Sequence, residues 1–212
     1  ACEIIYIDTN SSDNSCEIAY QYGAKIFKTN WNYNYSQIKN IAIKKANNNW
    51  ILSLNADEIV PSSSRKKIID LVKNSNFPAY YLKICTYLDR SLSLTNSEQK
   101  AKVKLFINNN NYYYQGYCNE SIKNSIIENG DKIDYRDIFI NHYHYNSKNK
   151  TINKKKKKKI LTIKNQMSDT PLQQKYLLGQ EYFYSGNFKS AISQFENIYS
   201  EIQENKNYSN IY

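Results

Sequence analysis

The sequence predicts an α/β domain, with a mostly parallel sheet flanked by helices, followed by a C-terminal α-helical repeat segment. Short apolar runs alternate with helical patterns over the first 60 residues, which is typical of parallel strands joined by crossover helices. Polar residues directly follow two of the apolar runs. From Lys148 onward the pattern is helical only, so the predicted domains are residues 1–147 and 148–212.

The first domain opens with a predicted βαβαβ unit. Its elements are strand 3–8, helix 17–22, strand 24–29, helix 35–46 and strand 50–54. The last strand has apolar residues on both phases, which predicts burial on both of its faces. Right-handed crossovers would bring Asp8 and Asp57 to the carboxyl ends of parallel strands, where open α/β sheets bind their ligands.

The later elements are predicted from residue composition and from the positions of proline and of polar loop residues. A helix over residues 61–73 has Pro61 in its first turn. The β-rich segments after it are 79–88, 103–107, 112–114, 118–123 and 138–145, with a polar loop over 89–100. The second domain is predicted to hold a basic helix over 148–167 and an antiparallel helix pair over 176–199 that turns at residues 185–187.

The formal charge of the 212 residues is +10, and much of the excess lies in the run Lys154–Lys159. Such a run can bind nucleic acid, phosphates or an anionic membrane. No aromatic residues interleave with it, as single-strand binding would require, so we favour a solvated helix face over nucleic-acid binding. An anionic membrane surface stays open as a peripheral partner.

The four cysteines contain no C-x-x-C pair, which gives no sign of a structural zinc or redox site. Their low density is typical of proteins from a reducing compartment. No apolar stretch has the length of a membrane span, and no signal peptide is recognisable. A cytoplasmic location is therefore the prediction.

The segment Asn55-Ala56-Asp57-Glu58 directly follows the Trp50 strand and presents side chains that can bind a cation or sugar hydroxyls. The alternative interpretation is a surface turn after a core strand. Both histidines of the chain, His142 and His144, lie at the end of the last predicted strand. A structural role is the alternative for each of these side chains.

Several segments together resemble family 2 glycosyltransferases, which have the GT-A type fold. Residues 7–14, Ile-Asp-Thr-Asn-Ser-Ser-Asp-Asn, are similar to their V-D-T-G-S-T-D-x segment, and residues 55–58 are similar to their L-D-A-D-E segment, the D-x-D motif. Three later segments look like the R-L-F, G-x-x-H-E and H-x-G-Y stretches of one subgroup: 104–106, 116–120 and 142–145. That subgroup often carries tetratricopeptide repeats, and residues 178–182 with Ala191 and Phe195 fit such a repeat.

The resemblance implies transfer of a sugar from a nucleotide-sugar donor, with a UDP-sugar expected, to an acceptor with inversion. It implies that Asp8 contacts the base or ribose and that Asn55 faces the donor ribose or sugar. Asp57 would bind a divalent cation, Mn²⁺ or Mg²⁺, which neutralises the departing diphosphate, and His142 would contact this metal or the diphosphate. Glu120 would be the catalytic base. A peptide, a lipid-linked saccharide and a polysaccharide all stay open as acceptors, and the helical repeat could hold a protein partner.

The sequence also departs from the family pattern. Asn55 replaces the first carboxylate of the D-x-D motif, Asn119 replaces a histidine, and His144 replaces a glycine. Family members have a strand and helix ahead of the equivalent of Glu3, so the chain is expected to be truncated at its N-terminus. These departures leave an alternative function: a catalytically inactive transferase-like module that binds a protein or anionic partner through its helical tail.

Overall fold

The computed structural model describes residues 2–30, 34–87, 97–116, 120–143, 172–184 and 186–204. The chain divides into two compact units, Ala1–Asn146 and Ser147–Tyr212. The predicted basic helix over residues 148–167 lies outside the described residues. None of the helices within the described ranges combines the length and the apolar character that crossing a membrane requires.

The first unit begins with two strand–helix repeats, as predicted. They are strand β1 (Ile5–Asp8), helix α1 (Ser15–Gln21), strand β2 (Lys25–Lys28) and helix α2 (Tyr35–Lys45). Strands β1 and β2 pair in parallel. Gly23, with a φ of 73°, reverses the chain after α1, and the Asn34 side chain caps α2 by accepting a hydrogen bond from the backbone N–H of Gln37 at 3.0 Å.

A five-stranded sheet forms the rest of the first unit. Its elements and the helices between them are strand β3 (Trp50–Leu52), strand β4 (Glu58–Ile59), helix α3 (Ser62–Lys73), strand β5 (Ala79–Tyr87), strand β6 (Ser97–Ile107), helix α4 (Lys123–Glu128) and strand β7 (Ile133–Tyr143). The spatial order is β3-β6-β5-β7-β4, which makes β3 and β4 the two edge strands. Pro61 is the N-cap residue of α3 rather than part of its first turn.

The predicted mostly parallel sheet is wrong, because the five-stranded sheet is mixed. Only β5 and β7 pair in parallel within it, whereas the β3–β6, β4–β7 and β5–β6 pairs are antiparallel. Residues 88–96 are too few for the crossover of about a dozen residues that adjacent parallel strands need, so β5 and β6 run antiparallel. Strand β3 pairs with β6 instead of joining β1 and β2, and residues 97–100 belong to β6 rather than to a loop.

Residues 112–114, predicted as β-rich, form no strand. Their backbone is bonded to side chains of two helices instead of to a neighbouring strand. The N–H of Tyr113 donates to Ser125 Oγ at 3.0 Å, and the N–H of Tyr114 donates to Asn40 Oδ1 at 2.7 Å. The tyrosine-rich composition suggested hydrogen bonds to a neighbouring strand. Polar side chains from other parts of the chain accept these backbone hydrogen bonds instead.

The sheet has a hydrophobic core on each of its two faces. One core holds Ile68, Tyr80, Leu82, Ile84, Leu105, Ile138 and Ile140, and the other holds Ala79, Val103, Phe106, Tyr112, Tyr114, Ile122 and Ile126. In strand β3, Trp50 and Leu52 pack against the first core, while Ile51 packs against the second. The predicted burial on both faces is confirmed only in part, because the strand contacts both cores but lies at the sheet edge and its three residues are half-buried.

The second unit contains an antiparallel helix pair, helix α5 (Leu172–Tyr184) and helix α6 (Phe188–Glu204). The helices are antiparallel, because the beginning of α5 contacts the end of α6 and the end of α5 contacts the beginning of α6. Lys175 Nζ lies 2.6 Å from Glu201, and the rings of Phe183 and Phe188 are 5.6 Å apart. A Cβ on Gly179 would come within 2.5 Å of the Phe195 ring, so glycine allows the close approach of the helices. The predicted helix pair is confirmed.

Within the part of the first unit that the structure describes, Lys104 and Glu58 form a buried ion pair. The Nζ atom of Lys104, in β6, lies 2.6 and 2.8 Å from the two carboxylate oxygens of Glu58, in β4, and both side chains are only 3% exposed. Burial lowers the pKa of Lys104 to about 8, and the adjacent Glu58 carboxylate opposes this shift. Each charge is therefore compensated by the other inside the fold.

We expect Lys104→Met to lower the free energy of unfolding by about 3 kcal/mol or more, because it leaves the Glu58 carboxylate buried without its cation. Urea unfolding measures the loss. Lys102→Met, at an exposed position in the same strand, should change stability by less than about 0.5 kcal/mol. The double variant Glu58→Gln with Lys104→Met should lose less than Lys104→Met alone. Equal stability of the two methionine variants would contradict this account.

A second prediction concerns Glu3, whose carboxylate joins β2 to the α2–β3 connection. It lies 2.7 Å from Lys25 Nζ and accepts hydrogen bonds from the backbone and side chain of Asn47 and from the Asn48 side chain. These contacts, the Asn47 backbone N–H first, lower the pKa of Glu3 from 4.5 to about 2. Ionised Glu3 therefore stabilises the fold above pH 4.5, and this contribution is lost as the pH falls toward 2.

Glu3→Gln should accordingly flatten the dependence of unfolding free energy on pH between 4.5 and 2. Urea unfolding at a series of pH values measures the slope. Glu17→Gln, at an exposed position on α1, is the matched control and should keep the wild-type slope. An unchanged slope in Glu3→Gln would show that these contacts do not favour the carboxylate.

Candidate active site

The loop over residues 53–57 leads from edge strand β3 to edge strand β4. It begins where the N–H of Ser53 donates to the Lys104 carbonyl at 2.8 Å. It ends in a turn in which the N–H of Asn55 donates to Glu58 Oε2 at 2.8 Å and the N–H of Glu58 donates to the Asn55 carbonyl at 3.1 Å. Lys104 and Glu58 therefore fix both ends of the loop in addition to pairing with each other.

Asp57 and His142 are brought together at the end of this loop. Asp57 Oδ2 lies 3.1 Å from His142 Nε2, and the Asp57 carbonyl accepts a hydrogen bond from the N–H of Tyr143 at 3.0 Å. The other ring nitrogen, Nδ1, lies 3.0 Å from Thr86 Oγ1. Thr86 and His142 are partners in the parallel β5–β7 pairing, so the sheet register sets the orientation of the imidazole.

The Asp57–His142 pair fits a divalent cation in part. The Asp57 side chain is 51% exposed and the His142 side chain 23%, so a solute can reach both. Among the described residues, no group of three or more His, Cys, Asp or Glu side chains is placed to hold a metal ion. A carboxylate and an imidazole can nevertheless bind Mg²⁺ or Mn²⁺ when substrate phosphates and water supply the remaining ligands.

Asp8 lies at the end of β1 and is 2% exposed. Its Oδ1 accepts a hydrogen bond from the N–H of Ser11 at 3.0 Å, and hydrogen bonds from Ser11 hold the pKa of Asp8 below its usual value. Asn10 has a φ of 65° within this turn, a conformation that asparagine adopts more readily than most residues. Asn10 occupies the position of the glycine in the resembling V-D-T-G segment, so this substitution is compatible with the same turn.

Glu120 is paired with Lys39 of helix α2, with Nζ 2.7 Å from Oε1. Tyr114 is buried, and Lys39 Nζ lies 4.9 Å from the centre of its ring. Burial raises the pKa of Tyr114, and the carboxylates of Glu120 and Glu58 raise it further. Lys39 therefore contacts both the Glu120 carboxylate and the Tyr114 ring.

The structure thus joins Asp57 directly to His142, and Asn55 to Glu58. Within the described contacts, none links Asp8 to Asp57, so a shared crevice for these two carboxylates stays a prediction.

Sequence reasoning gave no role to Glu58, although it stands in the Asn-Ala-Asp-Glu segment. The partner of Glu58 is Lys104, and its sequence signal was a charged residue between the apolar residues Val103 and Leu105. Both neighbours are buried, and a charge in such a strand needs a counter-charge.

Thr86 and Lys39 were also missed. Thr86 lies 56 residues from His142 in sequence, and only the strand pairing brings them together. Lys39 is one of three lysines in a helix that ends in Lys44 and Lys45, so composition did not distinguish it. Neither contact has a local sequence signal.

Comparison with known proteins gives a family and a partial relative. The sequence model described as Glycosyl transferase family 2 matches residues 1–129. A TPR repeat-containing protein of Synechococcus elongatus is 45% identical over 56 residues, which are 26% of this chain and 14% of that protein. The chain therefore spans only a small part of the length of this relative.

Solved structures of Staphylococcus aureus TarS are similar in fold. One TarS structure has a TM-score of 0.50 and 14% identity, with 85% of this chain and 38% of that chain covered. TarS 1-349 has a TM-score of 0.48, 13% identity and coverage of 86% and 62%, and its complex with UDP-GlcNAc has a TM-score of 0.47, 12% identity and coverage of 86% and 64%.

These findings agree with the architecture described above. The similarity to the TarS structure with a TM-score of 0.50 shows a shared fold and no more, because the identity is only 14%. The mixed sheet with flanking helices is the GT-A type fold. Because the family model covers residues 1–129, more than half of the 212 residues, this chain belongs to glycosyl transferase family 2.

Proposed function

We propose that this chain transfers a sugar from a nucleotide-sugar donor, with UDP-sugars as the donor class, to an acceptor with inversion at the anomeric carbon. Family membership and the GT-A fold support the reaction class. The observation that carries the proposal is the solvent-accessible contact of Asp57 with His142 at 3.1 Å, at the end of the loop between the edge strands. An exposed carboxylate and imidazole in this place suit a cation that accompanies a diphosphate.

Asp57 and His142 would hold this cation, Mn²⁺ or Mg²⁺, which when bound neutralises the negative charge that builds on the diphosphate as it leaves. Thr86 keeps the His142 ring oriented, because its Oγ1 lies at hydrogen-bond distance from Nδ1. With Nδ1 as the protonated nitrogen, Nε2 has its lone pair available as a ligand. The cation site therefore depends on the register of β5 and β7.

Donor recognition is assigned to Asp8 and Asn55. Asp8 contributes from the end of β1 by fixing the turn that follows it, through the hydrogen bond from Ser11. Asn55, held at its backbone by Glu58, offers an amide to the ribose or sugar hydroxyls. The amide that replaces the first D-x-D carboxylate can form hydrogen bonds, but because it is neutral it attracts the cation less strongly than a carboxylate would. Asp57 would therefore supply more of the metal binding.

Glu120 is the proposed catalytic base. Its carboxylate accepts the proton of the acceptor group while the acceptor atom forms a bond to the anomeric carbon. The bond between that carbon and the diphosphate oxygen breaks at the same time, and the electron pair leaves with the nucleoside diphosphate. Attack from the side opposite the leaving group inverts the anomeric configuration.

The helix pair of the second unit is proposed to be a tetratricopeptide-like unit that binds a protein partner. Leu178 of α5 and Ala191 of α6 are buried, and Gly179 lies against Phe195. These are residues on which the repeat resemblance rested. The TPR repeat-containing relative supports the same interpretation.

We expect isothermal titration calorimetry to detect binding of UDP and of some UDP-sugars that strengthens when Mn²⁺ is added. Asp57→Asn should weaken the Mn²⁺-dependent part by about 100-fold or more, since even residues behind metal ligands change metal affinity by about 10- to 100-fold. Asp70→Asn, which changes an exposed carboxylate on α3, should bind as the wild type does. Equal affinities of Asp57→Asn and the wild type would remove Asp57 from the donor site. A wild-type chain that binds no UDP-sugar would contradict the proposed function.

Thr86→Val should lower Mn²⁺ affinity in the presence of UDP by about 10-fold, because it removes the hydroxyl that orients His142. Thr86→Ser keeps the hydroxyl and should retain most of the affinity, so it separates loss of the hydrogen bond from loss of packing. The same titration, with Mn²⁺ as the titrant, measures both variants. If valine and serine behaved alike, the Thr86 hydroxyl would have no part in the site.

A further inference from the structure

One face of helix α2 binds the segment that carries Glu120. Ser36, Lys39 and Asn40 have the spacing i, i+3 and i+4, which places their side chains on the same face of the helix. The Ser36 hydroxyl donates to the carbonyl of Gly116. Asn40 binds Tyr114 in two places, accepting from its N–H at 2.7 Å and donating to its carbonyl at 2.9 Å.

Backbone hydrogen bonds also join a residue before Glu120 to a residue after it. Gln115 and Ser121 exchange two backbone hydrogen bonds of 2.9 Å, which form an isolated bridge just beyond Glu120. Among the described residues around Glu120, the backbones of Tyr114, Gln115, Gly116 and Ser121 are therefore fixed by uncharged contacts, those from α2 and those of the bridge. A charged contact is not needed to attach this segment to the helix.

Lys39 contributes something different, because it contacts the Glu120 side chain itself. Its Nζ is 2.7 Å from Oε1 and 4.9 Å from the centre of the Tyr114 ring. The Lys39 and Glu120 side chains are only 17% and 11% exposed. A charge-assisted hydrogen bond in such a partly buried place is stronger and better oriented than one in water.

We propose that Lys39 is a positioning residue, which holds the Glu120 carboxylate by Oε1 so that Oε2 is presented to the acceptor. This assignment rests on the proposed function, in which Glu120 accepts the acceptor proton. The Tyr114 ring limits the movement of the lysine, and the lysine limits rotation of the carboxylate. Displacing a reacting group by about 1 Å can cost about 100-fold in rate, so orientation of this carboxylate bears directly on turnover.

The test uses the full chain, with Mn²⁺ and a panel of UDP-sugars that includes UDP-GlcNAc. Release of UDP with water as the acceptor gives kcat and KM, and calorimetry with UDP gives donor affinity. Glu120→Gln should lower kcat by about 100-fold or more. Lys39→Met should lower kcat by about 10-fold or more with KM and UDP affinity unchanged, and Lys39→Arg should recover most of the loss. Lys44→Met, an exposed lysine of the same helix, should behave as the wild type.

A double-variant cycle separates positioning from a merely structural role. If Lys39 acts through Glu120, adding Lys39→Met to Glu120→Gln should cause no further loss of kcat. Additive losses, weaker UDP binding by Lys39→Met, or a Lys39→Met variant as active as Lys44→Met would each overturn the assignment while leaving the proposed function in place. A wild-type chain that neither binds UDP-sugars nor releases UDP would overturn the proposed function and this assignment with it.

Discussion

The buried ion pair between Lys104 and Glu58 is the interaction on which the candidate site depends. Each residue does two things: the side chains compensate each other's charge, and the backbones hold the two ends of the 53–57 loop. Glu58 is also the partner of His142 in the β4–β7 pairing, so the same residue places the loop beside the histidine. A buried charge without its partner would cost several kcal/mol, which makes this arrangement of strands and loop strongly preferred over alternatives that separate the two.

The other parts of the site are attached to rigid elements in the same manner. The parallel register of β5 and β7 places Thr86 against His142, and one face of α2 contacts Tyr114 and Glu120. The groups proposed to react lie in loops or at strand ends, whereas the groups that orient them lie within strands and a helix. Such a division gives the loop residues the positional accuracy of the scaffold, because packing and hydrogen bonds on strands and helices restrict the rotamers of the supporting side chains.

Several features were predictable because their signals are local. The alternation of strands and helices, the two-sided packing of Trp50–Leu52 and the C-terminal helix pair all follow from hydrophobic periodicity over short windows. Residues 112–114 show the opposite case, since aromatic composition predicted a strand and distant polar side chains from Asn40 and Ser125 bound the backbone instead. Strand direction was mispredicted for a similar reason, because the pairing of β3 depends on β6, about 50 residues further along the chain.

The sequence by itself determined the order of the elements, the family and the short list of acids and histidines, because motifs and periodicity are properties of neighbouring residues. Tertiary structure alone decided which of these side chains meet. It joined Asp57 to His142 across 85 residues, paired Lys104 with Glu58, and added Thr86 and Lys39, neither of which has a local signal. The physical reason is that charge compensation and hydrogen bonding act through space at about 3 Å, and only the packed sheet establishes which groups come within that distance.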